Sequence, residues 1–172
     1  QVTITFTGSP IVDAGVDLAI CANNNAVQLN GNVINANGGA WSGGNGTFNP
    51  SNTNLGAVYT PSAAEIANGN VTLTLTTTGN GLCTAVTDNV LLTFTSAPTV
   101  NAGAAVSICA NNAAVTLSGT VGGATGGVWS GGNGSFTPNN TAPNATYTPT
   151  AAEIANGILT LTLSTTGNGN CN

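Results

Sequence analysis

The 172-residue chain contains no lysine, arginine, histidine or methionine, and its only acidic side chains are Asp13, Asp17, Glu65, Asp88 and Glu153. Each absence removes a class of function. A chain without a cation cannot neutralise phosphates, which excludes nucleic acid as a partner, and it has nothing to draw it to anionic lipid headgroups. Without histidine no Ser-His or Cys-His nucleophile can be assembled, and without lysine no Schiff base can form. The glycine-rich runs such as Trp41-Ser-Gly-Gly-Asn-Gly46 lack the lysine and the following long helix of a phosphate loop. The expectation is a protein that is not an enzyme and has no catalytic residues.

Metals and membranes fare no better. The four cysteines form no Cys-x-x-Cys pair and have no histidine beside them, so a zinc site is the poorer reading. Asp13 and Asp17 are the one place to weigh calcium, but the corresponding residues later in the chain are Asn101 and Ala105, and calcium takes six to eight oxygens. No metal or cofactor is therefore expected. No apolar run is long enough to cross a bilayer, and no signal peptide is visible. The chain starts and stops in mid-repeat, so both are expected elsewhere in a longer parent.

What the chain does contain is a repeat. Tyr59-Thr-Pro-Ser-Ala-Ala-Glu-Ile-Ala-Asn-Gly69 returns as Tyr147 to Gly157 with only Ser62 exchanged for Thr150, a shift of 88 positions. The same shift lays Cys21 on Cys109, Trp41 on Trp129 and Cys83 on Cys171 without a gap. Such periodicity fixes the architecture before any local reading does.

Along the repeat, apolar and polar residues alternate over short stretches. Val2, Ile4 and Phe6 alternate with Thr3, Thr5 and Thr7, which predicts a half-buried strand; its copy is Asn89–Thr95 with Val90, Leu92 and Phe94. Both copies run into a short joint, Gly8-Ser-Pro10 or Ser96-Ala-Pro98, which marks the domain boundary. Residues 1–8 thus read as the last strand of a preceding repeat, 9–96 as one repeat, and 97–172 as a second that lacks its last strand. Ile11–Cys21 predicts an irregular edge strand, with a bulge or a crossover between sheets at Ala14-Gly15.

Trp41 and Trp129, each before a GGNG turn and a phenylalanine, read as core plugs, because each small unit has one bulky indole to fill it. Tyr59 and Tyr147 end a strand. Ser62 with Glu65, and Thr150 with Glu153, match the capping box of a short helix that stops at Asn68-Gly69 or Asn156-Gly157. The glutamates are caps in this reading. Val71–Thr77 is the clearest strand. About six or seven short strands per unit with frequent turns predict an all-β fold of tandem Ig-like (PKD-like) β-sandwiches, about 88 residues per repeat.

Cysteines at repeat spacing in a small, loop-rich chain suggest disulfides and an oxidising, extracellular setting. The first expectation is Cys21 with Cys83 and Cys109 with Cys171, pairs 62 positions apart. Closing such a loop is worth roughly 4 kcal/mol on the chain-entropy argument. The alternative, Cys21 with Cys171, stays open, because the turns that carry Cys21 and Cys83 can lie at opposite ends of a sandwich. Five Asn-x-Ser/Thr sequons, beginning at Asn45, Asn70, Asn133, Asn139 and Asn144, carry meaning only in a source with the glycosylation machinery.

The succession VNAG, ICANN, VTLSG, GGVWSGGNGSFTPNN, ATYTPTAAEIANG and LTLTLSTTGNGNC, with DNVLLTFT from the first copy, resembles the repeats of the SprB-like giant gliding-motility adhesins and related long cell-surface proteins of Bacteroidota. The resemblance covers essentially the whole chain. It implies export by type IX secretion, display on the bacterial surface as filaments, and a role in surface attachment and gliding, with these repeats as the shaft. It carries over no catalytic residue. Partners would be neighbouring repeats, external surfaces or polysaccharide, and further copies associating laterally or end to end. In particular, Gln1–Thr7 is expected to enter the open edge of a neighbour's second repeat. The competing reading is a carbohydrate- or ice-binding module working through exposed Trp41, Tyr59 or the outward threonines Thr72, Thr74 and Thr76 together with Thr3, Thr5 and Thr7.

Overall fold

The structure is a computed structural model and describes residues 1–171 of the chain. It divides into two compact units, Gln1–Ser96 and Ala97–Asn172. Both are all-β apart from one short helix and, in the second unit, one 3-10 turn.

In the first unit the chain runs through β1 (Ile11–Asp13), β2 (Leu18–Cys21), β3 (Val27–Gln28), β4 (Asn32–Ile34), β5 (Gly38–Ser42), β6 (Thr47–Asn49), β7 (Val58–Thr60), helix α1 (Ala63–Asn68), β8 (Asn70–Thr78) and β9 (Thr87–Thr95). One sheet has the order β2-β9-β8-β5 and another the order β3-β7-β6, while β1 pairs with β4. The break at Ala14-Gly15 is a crossover: β1 leaves its pairing with β4, Gly15 takes φ +86°, and β2 joins the other sheet. There β2 runs parallel to β9, with Leu18 opposite Leu92 and Cys21 opposite Thr95. Every other strand pair is antiparallel. This is an Ig-like sandwich with a parallel strand pair at one edge.

Period-two alternation builds the core. Val71, Leu73 and Leu75 of β8 and Val90, Leu92 and Phe94 of β9 point inward, against Trp41, Tyr59, Leu29 and Ile20. Trp41 is fully buried; its indole N–H donates to the Leu55 carbonyl at 3.2 Å, so the one polar atom of the plug is satisfied.

The second unit repeats this course with β10 (Thr99–Asn101), the 3-10 turn Ala110–Asn112, β11 (Val115–Thr116), β12 (Thr120–Gly122), β13 (Gly126–Ser130), β14 (Ser135–Thr137), β15 (Thr146–Thr148), helix α2 (Ala151–Asn156) and β16 (Thr162–Thr166). Its sheets are smaller: β10-β12, β11-β15-β14 and β13-β16. A counterpart of β9 would fall beyond residue 172. Its two flanks also change. The counterpart of β2, at 106–109, forms no strand, and β16 has five residues where β8 has nine. Both need β9 as their hydrogen-bonding neighbour in the first unit.

Two expectations differ from the structure. Gln1–Thr7 is not a strand: it joins no ladder, and Val2, Ile4 and Phe6 are 86%, 73% and 89% exposed. Alternation alone does not make a strand without a partner edge. The disulfides Cys21–Cys83 and Cys109–Cys171 are likewise not formed. Cys83 and Cys109 carry free thiols, whereas Cys21 and Cys171 are disulfide-bonded. The reason is visible within the first unit. Cys21 lies opposite Thr95, at the end of β9, and Cys83 lies just before Thr87, at its beginning. A nine-residue strand spans about 30 Å at 3.3 Å per residue. Disulfide-linked Cα atoms lie no more than about 7 Å apart.

Candidate functional site

Among the described residues, the polar groups gathered most closely are those around Glu65 and, in the second unit, Glu153. Ser62 is the N-cap of α1, with φ −72° and ψ 159°, and a capping box is present: the Ser62 hydroxyl accepts from the Glu65 N–H at 3.3 Å, and the Glu65 carboxylate accepts from the Ser62 N–H at 2.7 Å. Thr150 and Glu153 do the same at the start of α2. Each helix stops at a left-handed glycine, Gly69 at φ 82° and Gly157 at φ 76°.

The capping glutamate does more than close the helix. Glu65 is only 5% exposed, and its Oε1 accepts from the Tyr59 hydroxyl and from the Asn45 N–H, both at 2.8 Å. Its Oε2 accepts from the Ser62 hydroxyl as well as the Ser62 N–H. The Tyr59 hydroxyl in turn accepts from the Gly46 N–H at 2.9 Å. One carboxylate thus ties the glycine-rich turn between β5 and β6, which lie in different sheets, to the end of β7 and the start of α1. Glu153 repeats the arrangement with Asn133, Tyr147 and Thr150, and Gly134 donates to Tyr147. Gly44 and Gly132 lie against this cluster at positive φ, where a Cβ would run into the tyrosine hydroxyl. Only glycine fits there.

The electrostatics follow from the donors. Burial raises the Glu65 carboxyl, but the Ser62 N–H and hydroxyl, the Tyr59 hydroxyl and the Asn45 N–H outweigh it and hold the group below the usual carboxylate range. The N–H groups of Thr150 and Asn133 bring Glu153 down to about 2. Burial, and then donation to Glu65, pushes Tyr59 up to about 12; Tyr147 is raised too, chiefly by burial. An ionised carboxylate has about four acceptor positions. Four donors fill those of Glu65, so no lone pair is left for a substrate proton.

The tryptophans are held in a similar way. The Asn52 side-chain amide donates to the Trp41 carbonyl at 3.0 Å, and the Trp41 N–H donates to the Asn52 carbonyl at 2.7 Å. Asn140 treats Trp129 identically, at 3.1 and 2.8 Å. Sequence reasoning missed these asparagines and the tyrosine–glutamate bond. The one signal for them was recurrence at the 88-residue shift among otherwise variable turn residues.

Other candidates dissolve into the fold. Trp41, Trp129, Tyr59 and Tyr147 are all 2% exposed or less, which removes the exposed aromatic platform a carbohydrate site would use. The expected threonine array does not form, because Thr72 and Thr74 face Leu91 and Asn89 across the β8–β9 ladder and Thr3, Thr5 and Thr7 lie outside any strand. Asp13 accepts from the Gly15 N–H and Asp17 from the Leu91 N–H, each at 2.8 Å. No group of three or more His, Cys, Asp or Glu that could hold a metal occurs among the described residues. No helix among them is long and apolar enough to cross a membrane.

A groove of about 830 Å³ opens in the second unit. Val106, Ile108, Leu117, Trp129, Leu159 and Leu161 line it.

No protein-family model matches the chain, and no curated protein matches it. Among solved structures, it is similar to the extracellular cadherin domains 3–6 of protocadherin gamma B2, with a TM-score of 0.39 and 11% sequence identity over 82% of this chain. The chain spans 39% of the length of that structure.

Proposed function

We propose that this chain is a shaft segment of a long secreted filament or adhesin on a bacterial surface, a non-catalytic structural module used in attachment and gliding. The observation that carries the reading is where the distinctive side chains go. Both tryptophans, both tyrosines and the glutamates Glu65 and Glu153 lie inside the units, each polar atom of the Tyr–Glu pairs with a partner. A module built to bind a small ligand would turn some of these outward. Here they close the units, and the same closure occurs twice at a fixed 88-residue shift.

Three further features support the assignment. The disulfide-bonded Cys21 and Cys171 fit an oxidising compartment. The absence of lysine and arginine leaves no site for trypsin-like proteases, which suits a protein kept outside the cell. The succession of repeat motifs resembles gliding adhesins of Bacteroidota, and with it comes the proposal of type IX secretion.

Disruption of the gene in the source cells tests the role. Loss of attachment to glass or agar and of spreading over it, with normal growth in suspension, is the expected phenotype. Unchanged attachment and spreading would overturn the assignment.

A further inference from the structure

The first unit holds five Asn-Gly pairs, beginning at Asn30, Asn37, Asn45, Asn68 and Asn80, which share one chemistry but not one environment. We infer that Asn80-Gly81 is a site of self-modification: its asparagine converts through a succinimide to aspartate and isoaspartate, while the fold holds the other four back.

The reaction needs no partner but water. The Gly81 backbone nitrogen loses its proton to base and attacks Asn80 Cγ. The N–Cγ bond forms, the Cγ–Nδ2 bond breaks, and Nδ2 takes up a proton and leaves as ammonia. Water then opens the five-membered ring at either carbonyl, giving aspartate or isoaspartate, and either product carries one negative charge that the amide lacked. Glycine in the second position favours the attack, because it has no Cβ to shield the nitrogen or to restrict the backbone. What separates one pair from another is whether that nitrogen is free to lose its proton and move.

At four of the five pairs the glycine is engaged. The Gly31 N–H donates to the Leu55 carbonyl at 3.0 Å, the Gly46 N–H to the Tyr59 hydroxyl at 2.9 Å and the Gly69 N–H to the Ile66 carbonyl at 3.1 Å. Gly38 lies in the β5–β8 ladder opposite Thr78. In the second unit Gly134 and Gly157 repeat the bonds of Gly46 and Gly69. Gly81 differs. Its N–H has no partner among the described residues, it is exposed, and nothing lies within 4 Å of where a Cβ would stand. With φ 62° it occupies a tight turn closed by the Cys83 N–H on the Asn80 carbonyl at 3.1 Å, next to the fully exposed Leu82. Exposed loop tips of small residues are where backbone motion concentrates.

The Asn80 side chain is held only through its leaving group. Nδ2 donates to the Thr77 carbonyl at 3.2 Å, the long end of the range, while Oδ1 is buried with no partner. A buried carbonyl oxygen without a donor gains by turning out to water, and that rotation frees Cγ for attack. Conversion bars the return. A carboxylate has no hydrogen to give the Thr77 carbonyl and is repelled by it, so the turn after β8 loses this tie. The chain, which has five acidic side chains and no basic one, becomes more acidic by one charge.

Incubation of the folded 172-residue chain in mildly alkaline buffer, followed by peptide mapping at acid pH, tests this. Among the five pairs of the first unit, Asn80 should convert first, ahead of Asn45 and Asn68 by roughly fivefold or more, the factor that releasing one hydrogen bond costs. In denaturant, where no N–H is held, all five should convert at similar rates. Asn80→Gln, whose longer side chain closes the ring far more slowly, should lose that conversion and no other. A folded chain in which Asn80 converts no faster than Asn45 or Asn68, or in which Asn80 stays intact while the denatured chain reacts, would overturn the proposal.

Discussion

The Tyr59 hydroxyl donates to Glu65 Oε1 at 2.8 Å, and 88 residues later the Tyr147 hydroxyl donates to Glu153 Oε1 at 2.9 Å. Each pair joins the last residues of a strand to the first turn of a helix and, through Asn45 and Gly46 or Asn133 and Gly134, holds the glycine-rich turn that crosses between the sheets. Tyr59→Phe removes one donor from Glu65 and strands the Gly46 N–H. A cost of about 1–3 kcal/mol is expected. Chemical denaturation of the single variants Tyr59→Phe and Tyr147→Phe measures it, and the two should lose similar amounts.

Acid should loosen the same clusters. The carboxyl groups of Glu65 and Glu153 titrate below their ordinary value of 4.5 in the folded chain. The folded state therefore binds fewer protons than the unfolded one in this range. The stabilisation is complete above pH 4.5 and is lost as pH falls toward the folded values, about 2 for Glu153. Thermal denaturation between pH 6 and pH 2 should show a falling midpoint, and the double variant Glu65→Gln with Glu153→Gln should flatten the slope.

The alkaline end offers a separate observation. The chain has two tyrosines, and both titrate above the ordinary value of 10, Tyr59 at about 12. Absorbance at the phenolate band should show no tyrosine ionising near pH 10 in the folded protein. A normal step there would mean that the hydroxyls face water.

Thiol chemistry should separate the cysteines. Iodoacetamide on the native, unreduced protein should label Cys83 and Cys109, whereas Cys21 and Cys171 should label only after reduction. Peptide mapping with a protease that does not need lysine or arginine reads the result. Protection of Cys83 and Cys109 would contradict the structure.

Local features were legible in the sequence because their determinants are local. Ser62 with Glu65 and Asn68-Gly69 announce a capped helix within eight residues, and α1 lies there. Alternation over Val71–Thr77 announces β8. Non-local features were not. That β2 runs parallel to β9 decides which end of the sheet carries Cys21, and no spacing along the chain encodes it. Gln1–Thr7 has the pattern of a strand yet forms none, since a strand is a property of two edges. Glu65 was legible as a cap, but its bond to Tyr59 depends on where the end of β7 meets the helix, and the five intervening residues do not fix that.

Immunogold electron microscopy of intact source cells, with an antibody raised against this chain, tests the central claim most directly. Label spaced along filaments that extend from the outer surface is the expected result. Label that appears only after the cells are opened would contradict it.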